Sequence, residues 1–461
     1  MPSLVPTLRP RLRRTLLALV AIAVPLGAQP PAPDPLDALV REGLAANPAL
    51  RARDAEVARD GAAVREALGR WLPSATLTGR ASELRGQVLN VGQLLNPAYG
   101  ALNELLGRPA FPTDVDLRLP LRQEAILRLE QPLWQPRIAA ARDAAVAARE
   151  ATIAGRDAAR RQLAADIRLA YLQYARAARA AALLAATVPL LDEAARVATR
   201  RLEAGTLTPD AVLRSRAERS AVVQQRDQAE QIASAARRQL NLLVGRPVDA
   251  PFALVADSTL VFAARFAALD SVAALAERAT ARREELRQLE RARAAADAQA
   301  AIARAAFLPS VGLGVDYGFQ GNRIRVDARR DFAIASVVLS WNLFNGGQDR
   351  ARVEQARAEG DAIAWRRADV ARQVAVQVEV AREAARVARA AIATADDRLA
   401  AAARAFALVQ RRFAEGLATP LELLDARTTL TGAELNRLVT TYDFYARVTE
   451  LDRAAALTPT E

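Results

Sequence analysis

Residues 200–216 read RRLEAGTLTPDAVLRSR, residues 411–427 read RRFAEGLATPLELLDAR, and the two stretches align without a gap. WLPS at 71–74 repeats as FLPS at 307–310, and LEQPLW at 129–134 corresponds to LSWNLF at 339–344. Two copies in the same order indicate a duplication, because a solenoid needs three or more repeats. The sequence therefore predicts a first structural repeat over residues 29–265 and a second over residues 266–461. The identical pairs in the first alignment are Arg200/Arg411, Arg201/Arg412, Gly205/Gly416, Thr208/Thr419, Pro209/Pro420, Leu213/Leu424 and Arg216/Arg427.

The N-terminus has the pattern of a secretory signal peptide. Arginines at 9, 11, 13 and 14 precede the apolar run LLALVAIAV at 16–24, and small residues follow as far as Ala28. We therefore predict a signal peptide over residues 1–28. An uncleaved membrane anchor is the alternative, although the run is short for a bilayer span. Nowhere does the sequence contain 18 or more consecutive apolar residues.

Each repeat reads as a helix that ends at Leu-Pro-Ser, two strand-like segments, a very long helix, a Gly-Thr-Pro turn and another helix. We place the strands near 74–84, 123–133, 310–320 and 332–343. In SVGLGVDYGF at 310–319, apolar residues alternate with Ser, Gly or Asp. A segment of about 10 residues with one apolar face is typical of a transmembrane β-strand. A half-buried strand of a soluble sheet has the same local pattern, but the signal peptide favours the membrane interpretation.

If these four strands cross a membrane, the chain must oligomerise. An open four-stranded sheet cannot lie in lipid, because the N–H and C=O groups at its edges would have no hydrogen-bond partners. A closed barrel needs about eight strands or more. Several chains must then share one barrel.

The long helices make up most of the chain. A helical pattern runs from about Arg137 to Arg201 and another from about Gly347 to Phe413, with Gly155 and Pro189 as weak points in the first. At 1.5 Å per residue the first could reach ~95 Å. Helices of this length need neighbours along their whole length, as in a coiled coil. Their alanine-rich apolar positions favour close side-by-side packing.

The composition excludes most enzyme classes. The chain has no histidine and no cysteine, which excludes imidazole bases, thiolate nucleophiles and the usual zinc, copper or iron–sulfur ligands. No nucleophile–base or metal constellation is visible, so we predict neither enzyme activity nor a cofactor. The net charge of +12 comes from 64 basic residues, all arginine, interleaved with 52 acidic ones. This spacing indicates solvated helix faces rather than a nucleic-acid surface.

The order of segments resembles the TolC-type family of outer-membrane efflux proteins over nearly the whole chain after the signal peptide. The resemblance rests on NPAL at 47–50, both Leu-Pro-Ser junctions, QPLW at 131–134, WNLFNGG at 341–347 and the duplicated Gly-Thr-Pro turn. It implies a mainly α fold with a small transmembrane β portion. A long-helix periplasmic tunnel (an α-barrel) would continue a 12-stranded β-barrel in the outer membrane, shared by a homotrimer with four strands per chain. It also implies partners at the tunnel tip, a periplasmic adaptor protein and an inner-membrane transporter.

The resemblance implies that the two repeated turns are the periplasmic tips of the tunnel. Glu422 and Asp425 match acidic residues that ring the narrowest part of the tunnel in the family, which implies a pore constriction or gate. Spaced i,i+3, they share a helix face, and three chains would bring six carboxylates together. The alternative is that Glu422 forms a capping box with Thr419, while Asp425 interacts favourably with the helix dipole.

Both turns are also predicted to bind the adaptor. The candidate docking residues are Gly205, Thr208, Pro209, Gly416, Thr419 and Pro420. In both turns Thr is the expected N-cap and Pro the first helical residue, and the glycines can equally be left-handed residues that end a helix. Polar links hold the tip shut in some members, but Ala418 and Ala211 occupy the corresponding positions here, so the sequence leaves the closing mechanism open.

The loops between the strands differ in length. The first spans about 38 residues, 85–122, and is rich in Pro, Gly and Asn, which favour turns; the second has about 11 residues. Long loops of outer-membrane barrels lie outside the cell, so we predict that residues 85–122 form an extracellular loop over the mouth.

Three functions are compatible with these features. The first is the exit duct of a tripartite pump that exports small toxic compounds, and the second is the same duct in type I protein secretion. The third is a periplasmic coiled-coil adaptor without a pore, although adaptors usually combine one helical hairpin with β-rich domains. A wide tunnel offers no selective pocket from which the exported substrate could be read.

Overall fold

The computed structural model describes residues 35–83, 89–119, 123–256, 262–267, 271–321 and 331–458. The predicted signal peptide, residues 1–28, lies outside these ranges. In the first half the elements are α1 (Pro35–Ala46), α2 (Pro48–Gly69), β1 (Ser74–Ala81), β2 (Leu89–Asn90), α3 (Val91–Leu106), β3 (Arg118–Leu119), β4 (Gln123–Trp134), α4 (Pro136–Glu203) and α5 (Pro209–Val244). The second half contains α6 (Phe262–Ala267), α7 (Val272–Arg282), α8 (Glu284–Arg304), a 3-10 turn (Ala305–Phe307), β5 (Ser310–Gly321), β6 (Asp331–Ser340), α9 (Gln348–Ala414) and α10 (Pro420–Ala455).

The two long helices, α4 and α9, have 68 and 67 residues, which corresponds to about 100 Å each. Their bounds lie within two residues of the predicted ones. The predicted boundary between the repeats, 265/266, falls inside the short helix α6, and the division into repeats stays a prediction. No helix of the described residues is both long enough and apolar enough to span a membrane.

The first half begins with a helix that is broken once, at Asn47. Between α1 and α2, the Asn47 side chain accepts hydrogen bonds from the backbone N–H groups of Ala49 (2.9 Å) and Leu50 (3.4 Å), and Pro48 occupies the first helical position. Such an N-cap starts a new helix in a new direction. Asn47 Nδ2 also donates to the Leu243 carbonyl, 3.1 Å away, which ties the break to α5.

The four main strands form one antiparallel sheet in the order β1-β4-β5-β6. Leu127 of β4 stands opposite Leu77 of β1 and Tyr317 of β5, and Val337 of β6 stands opposite Leu313. Within the described residues, β1 and β6 are the two edges of this sheet and each is paired on one side only.

The strand ends require two corrections. β1 ends at Ala81 rather than at 84, and β6 ends at Ser340 rather than at 343. After β6 the chain turns away from the sheet, because Asn342 Nδ2 donates to Asp349 in the first turn of α9 at 2.6 Å. Gly346 and Gly347, at φ 56° and 78°, make this turn in the left-handed region that favours glycine.

The long loop of the first half is not built of turns alone, as its composition suggested. It contains the 16-residue helix α3, with Pro97 inside it, and the short pair β2–β3. Two asparagines fix the helix to the returning chain. Asn96 exchanges two hydrogen bonds with the Val115 backbone (2.9 and 3.0 Å), and Asn103 binds the backbone of Ala110 and Phe111.

The largest hydrophobic core lies halfway along the long helices, where α1, α5, α7 and α10 pack around α4 and α9. Its fully buried members include Leu36, Ile167, Leu240, Val378 and Phe444. Outside this core, about half of the buried residues of α4 and α9 are alanine. A smaller cluster around Leu184, Leu191 and Leu424 lies nearer the Gly-Thr-Pro turns.

Candidate functional site

The sheet has two chemically different faces. Cross-strand partners share a face, so the register separates the even-numbered residues from the odd-numbered ones. The even face is the more polar one; it contains Ser74, Thr76, Thr78, Arg80, Glu124, Arg128, Glu130, Asp316, Gln320, Ser336 and Ser340, together with the apolar residues Ile126, Phe332, Ile334 and Val338. The odd face contains Leu77, Leu127, Leu129, Val315, Tyr317, Val337 and Leu339, several of them strongly exposed in the single chain, such as Leu77 at 74 % and Val337 at 69 %.

Ion pairs connect the strands across the polar face. Arg128 binds Asp316 through two hydrogen bonds, Nε to Oδ1 at 2.8 Å and Nη2 to Oδ2 at 2.9 Å. Arg80 pairs with Glu124 at 2.9 Å, and Glu124 also accepts from Gln320 Nε2 at 3.0 Å. The sequence analysis recognised the alternation but not this network, since Arg128 and Asp316 are 188 residues apart and only the register shows that they meet.

The two tips have the same backbone geometry. Gly205 (φ 70°) and Gly416 (φ 77°) are left-handed residues. After each of them the next N–H donates back into the helix, Thr206 to the Arg201 carbonyl at 2.9 Å and Leu417 to the Arg412 carbonyl at 2.7 Å. These bonds close the last turns of α4 and α9 in the way a Schellman motif does, so the structural role predicted for both glycines is confirmed.

Glu422 forms the predicted capping box at the start of α10. The Thr419 N–H donates to Glu422 Oε2 at 2.8 Å, and the Glu422 N–H donates to Thr419 Oγ1 at 3.2 Å. Glu422 and Asp425 are both exposed in the single chain. The described residues provide no hydrogen bond or ion pair to the Asp425 carboxylate. Glu422 therefore caps helix α10. This contact is compatible with a second role of Glu422 in the pore, which stays a prediction.

The first tip compensates for its missing capping box. Thr208 is the N-cap of α5, but Ala211 stands where the second tip has Glu422. The Thr208 hydroxyl instead donates to the Asp210 carboxylate, which holds the pKa of Asp210 below its usual range. Among the six candidate docking residues, Pro420 is half-buried and the other five are exposed.

Side chains that the sequence analysis did not single out link the two helical hairpins near the tips. The Arg201 guanidinium lies over the Phe413 ring, 4.9 Å from its centroid, and joins α4 to α9. Thr428 of α10 donates to Glu218 of α5 at 3.0 Å. Ala418 is buried and Ala211 half-buried, and neither can form a polar link.

The hairpins also meet through apolar packing and one half-buried arginine. Leu424 packs against Leu184, Leu191 and Val222. Arg427 Nη2 donates to Thr187 Oγ1 at 3.2 Å. An apolar cavity of about 240 Å³ remains between the hairpins. Among the described residues, no group of three or more side chains could hold a metal ion.

Residues 275–457 match the family model of the outer membrane efflux protein. The fold is similar to that of the channel CusC, with a TM-score of 0.75 and 17 % identity, covering 91 % of each chain. VceC from Vibrio cholerae matches with a TM-score of 0.72 and 18 % identity over 91 % of this chain and 95 % of that one. The open state of the MtrE channel from Neisseria gonorrhoeae matches with a TM-score of 0.71 and 19 % identity over 92 % of this chain and 89 % of that one. No curated protein sequence matches the chain.

These matches confirm the predicted resemblance to TolC-type proteins, and the mainly helical fold with its small strand portion. The matched family is one of outer-membrane channel proteins rather than enzymes. Over residues 275–457 the chain is thus similar to the outer membrane efflux protein family, and over nine-tenths of its length it has the fold of the solved channels CusC and MtrE.

Proposed function

We propose that three copies of this chain form the exit duct of a tripartite efflux pump, which carries small molecules across the periplasm and the outer membrane. The observation that carries this proposal is the sheet. It has a more polar face with ion pairs and an exposed apolar face, and among the described residues its two edge strands, β1 and β6, are each paired on one side only. In lipid the apolar face would point outwards, and β6 of one chain would pair with β1 of the next until twelve strands close.

Exposed apolar residues on α9 support the assembly. Val376, Val380 and Val387 are 58 %, 62 % and 53 % exposed in the single chain. Spaced by 4 and 7 residues, they lie along one side of the helix. A stripe of this kind fits the flank of a neighbouring helix, and in the proposed trimer that helix belongs to the next chain.

At the tips, Glu422 and Asp425 of three chains would form a ring of six carboxylates that narrows the duct and favours cations. The periplasmic adaptor would dock on the two exposed turns, at Gly205, Thr208, Pro209, Gly416, Thr419 and Pro420, and connect the duct to an inner-membrane transporter. The Arg201–Phe413 and Glu218–Thr428 contacts are our candidates for holding the hairpins together in the closed tip. The loop with α3 would lie outside the cell, where protease treatment of intact cells should cut it.

The decisive experiment compares two neighbouring arginine substitutions in β6. Val337→Arg places a charge on the apolar face, which costs about 2–4 kcal/mol at the bilayer midplane, whereas Ser336→Arg places the same charge on the polar face. We expect wild type and Ser336→Arg to give heat-sensitive trimers and channels in planar bilayers, and Val337→Arg to give neither. Equal behaviour of the two variants, or no channel from the wild type, would reject the proposal.

A strain that lacks the gene for this chain can separate drug efflux from type I secretion. If the chain serves a pump, its deletion lowers the tolerance of cells to toxic compounds and leaves the proteins in the medium unchanged. The opposite result would assign the duct to protein secretion.

A further inference from the structure

A cavity rich in arginine lies where the first helix, the long helix α4 and the C-terminal end of α10 meet. Its volume is about 210 Å³. Its lining includes five arginines, Arg41, Arg160, Arg161, Arg168 and Arg453, against the two carboxylates of Asp37 and Asp452. The charged lining residues thus sum to +3. Nothing in the proposed transport function uses this cavity.

Arg168 is the centre of the cavity wall. It is only 7 % exposed. Its Nη2 donates to Asp37 Oδ1 at 2.8 Å and its Nη1 to Asp452 Oδ2 at 3.3 Å. Its Nε is buried and has no partner among the described residues. Buried N–H donors are nearly always satisfied, so this donor indicates a missing acceptor.

Arg160 provides a second unused donor, because its Nε is also buried without a partner in the described part of the chain. Arg161, in contrast, is fully committed. It binds Glu284 through two hydrogen bonds, at 2.8 and 2.9 Å, and donates to the Thr458 carbonyl at 2.7 Å.

Buried Nε atoms without a partner among the described residues also occur on arginines outside the cavity, such as Arg237 and Arg427. What distinguishes this cavity is that two such arginines, Arg160 and Arg168, line the same space together with three further arginines.

We propose that this cavity binds a small oxyanion of the phosphate type. Guanidinium groups match phosphate oxygens in geometry and charge, and the volume suits one such anion with its hydration. The anion accepts from the free Nε donors of Arg160 and Arg168 and offsets the excess charge. It thereby joins α1, α4 and α10 at the level of the main core.

The position along α4 identifies the source of the anion. Arg160 and Arg168 lie 24 and 32 residues after Pro136, the first residue of the helix after the sheet. At 1.5 Å per residue this is about 36–48 Å from the sheet. A phospholipid headgroup in the membrane that holds the sheet cannot reach this far. The ligand is a soluble anion, and a lipid headgroup is the source that the test must exclude.

The test uses the full-length protein in detergent, with inorganic phosphate as the probe. Equilibrium dialysis at low ionic strength should show saturable binding of one phosphate per chain. The double variant Arg160→Gln/Arg453→Gln should weaken binding at least about tenfold, because it removes the Nε donor of Arg160 and the positive charges of two lining residues. Arg372→Gln, which removes one exposed arginine of α9 away from the cavity, should bind like the wild type. Phospholipid vesicles with and without phosphatidylglycerol should not compete.

A second measurement does not depend on the folding of the variants. Phosphate should protect the Arg160 and Arg453 peptides of the wild type from phenylglyoxal, as read by mass spectrometry, and leave Arg372 reactive. Non-saturable binding, equal binding by the double variant and Arg372→Gln, or absence of protection would each overturn the assignment. Competition by phosphatidylglycerol would overturn the soluble source. None of these results depends on channel activity, so the proposed transport function is tested separately.

Discussion

Glu422 combines two roles that substitution can separate. Its carboxylate accepts the Thr419 N–H at 2.8 Å as part of the capping box, and it contributes charge to the proposed ring at the tip. Glutamine can keep the hydrogen bond, since Gln also serves at this position of a capping box, but it removes the charge. Alanine removes both. Asp425→Asn changes only charge, because the described residues give that carboxylate no partner.

The expected magnitudes follow from these contacts. Loss of one capping hydrogen bond costs about 1 kcal/mol. In Glu422→Ala, the first amides of α10 should therefore exchange about fivefold faster in hydrogen–deuterium exchange. Glu422→Gln and Asp425→Asn should leave this exchange unchanged. In planar bilayers, each of these two variants should lower the preference for cations, and the double variant should abolish it.

The result that would refute this reasoning is specific. If the double variant Glu422→Gln/Asp425→Asn keeps the cation preference of the wild type, the two residues do not form the constriction, whatever their effect on helix capping. If Glu422→Gln accelerates exchange as strongly as Glu422→Ala, the capping contribution depends on charge rather than on the hydrogen bond.

Three further predictions concern contacts away from the carboxylates. Arg201→Ala removes the contact with the Phe413 ring, worth about 0.5–1 kcal/mol, and should raise the open probability of single channels about two- to fivefold; an unchanged value would exclude this contact from the closed state. Glu42 is bound by Arg246, whose two hydrogen bonds hold the pKa of Glu42 below its usual range. The stabilisation that this ion pair provides is fully present above the pKa of Glu42 in the unfolded chain, about 4.5. It is lost as the pH falls through the lower pKa of Glu42 in the folded protein. The difference in Tm between wild type and Glu42→Gln should therefore be largest near neutral pH and vanish in acid. Glu284→Gln removes the carboxylate that binds the largely buried guanidinium of Arg161 through two hydrogen bonds, and should destabilise the protein by about 3–5 kcal/mol in urea unfolding. A loss below about 1 kcal/mol would mean that water or the neighbouring carboxylates replace this partner.

Periodicity and capping signals predict what is local along the chain. The long helices α4 and α9 could be placed because their helical pattern continues until a glycine and a Thr-Pro pair end it. The capping box of Glu422 could be predicted for the same reason, since its partners are three residues apart. The alternation in the strands predicted the two faces of the sheet before the register was known.

Features that depend on distant partners could not be read in this way. The composition of the loop 85–122 favours turns, and α3 contains Pro97. The helix nevertheless forms where Asn96 and Asn103 bind backbone groups 7 to 19 residues further along. Two other features depend on contacts between chain segments more than 100 residues apart. They are the ion pair of Arg128 with Asp316 and the burial of Arg168 between Asp37 and Asp452.

The packing of the long helices connects the stability of the protein to its assembly. The largest group of buried apolar side chains lies in the core halfway along α4 and α9, and about half of the other buried positions of these helices are alanine. Each buried alanine removes little apolar surface from water, at about 25 cal/mol per Å², so the distant ends of the helices gain little within one chain. The valines that could add more, Val376, Val380 and Val387, point away from the chain's own helices and are exposed. An assembly that covers them would stabilise the tunnel wall and close the sheet at the same time, because one set of neighbours supplies both contacts. Stability of the helical part should therefore depend on protein concentration, and a folded monomer with full-length helices would contradict this coupling.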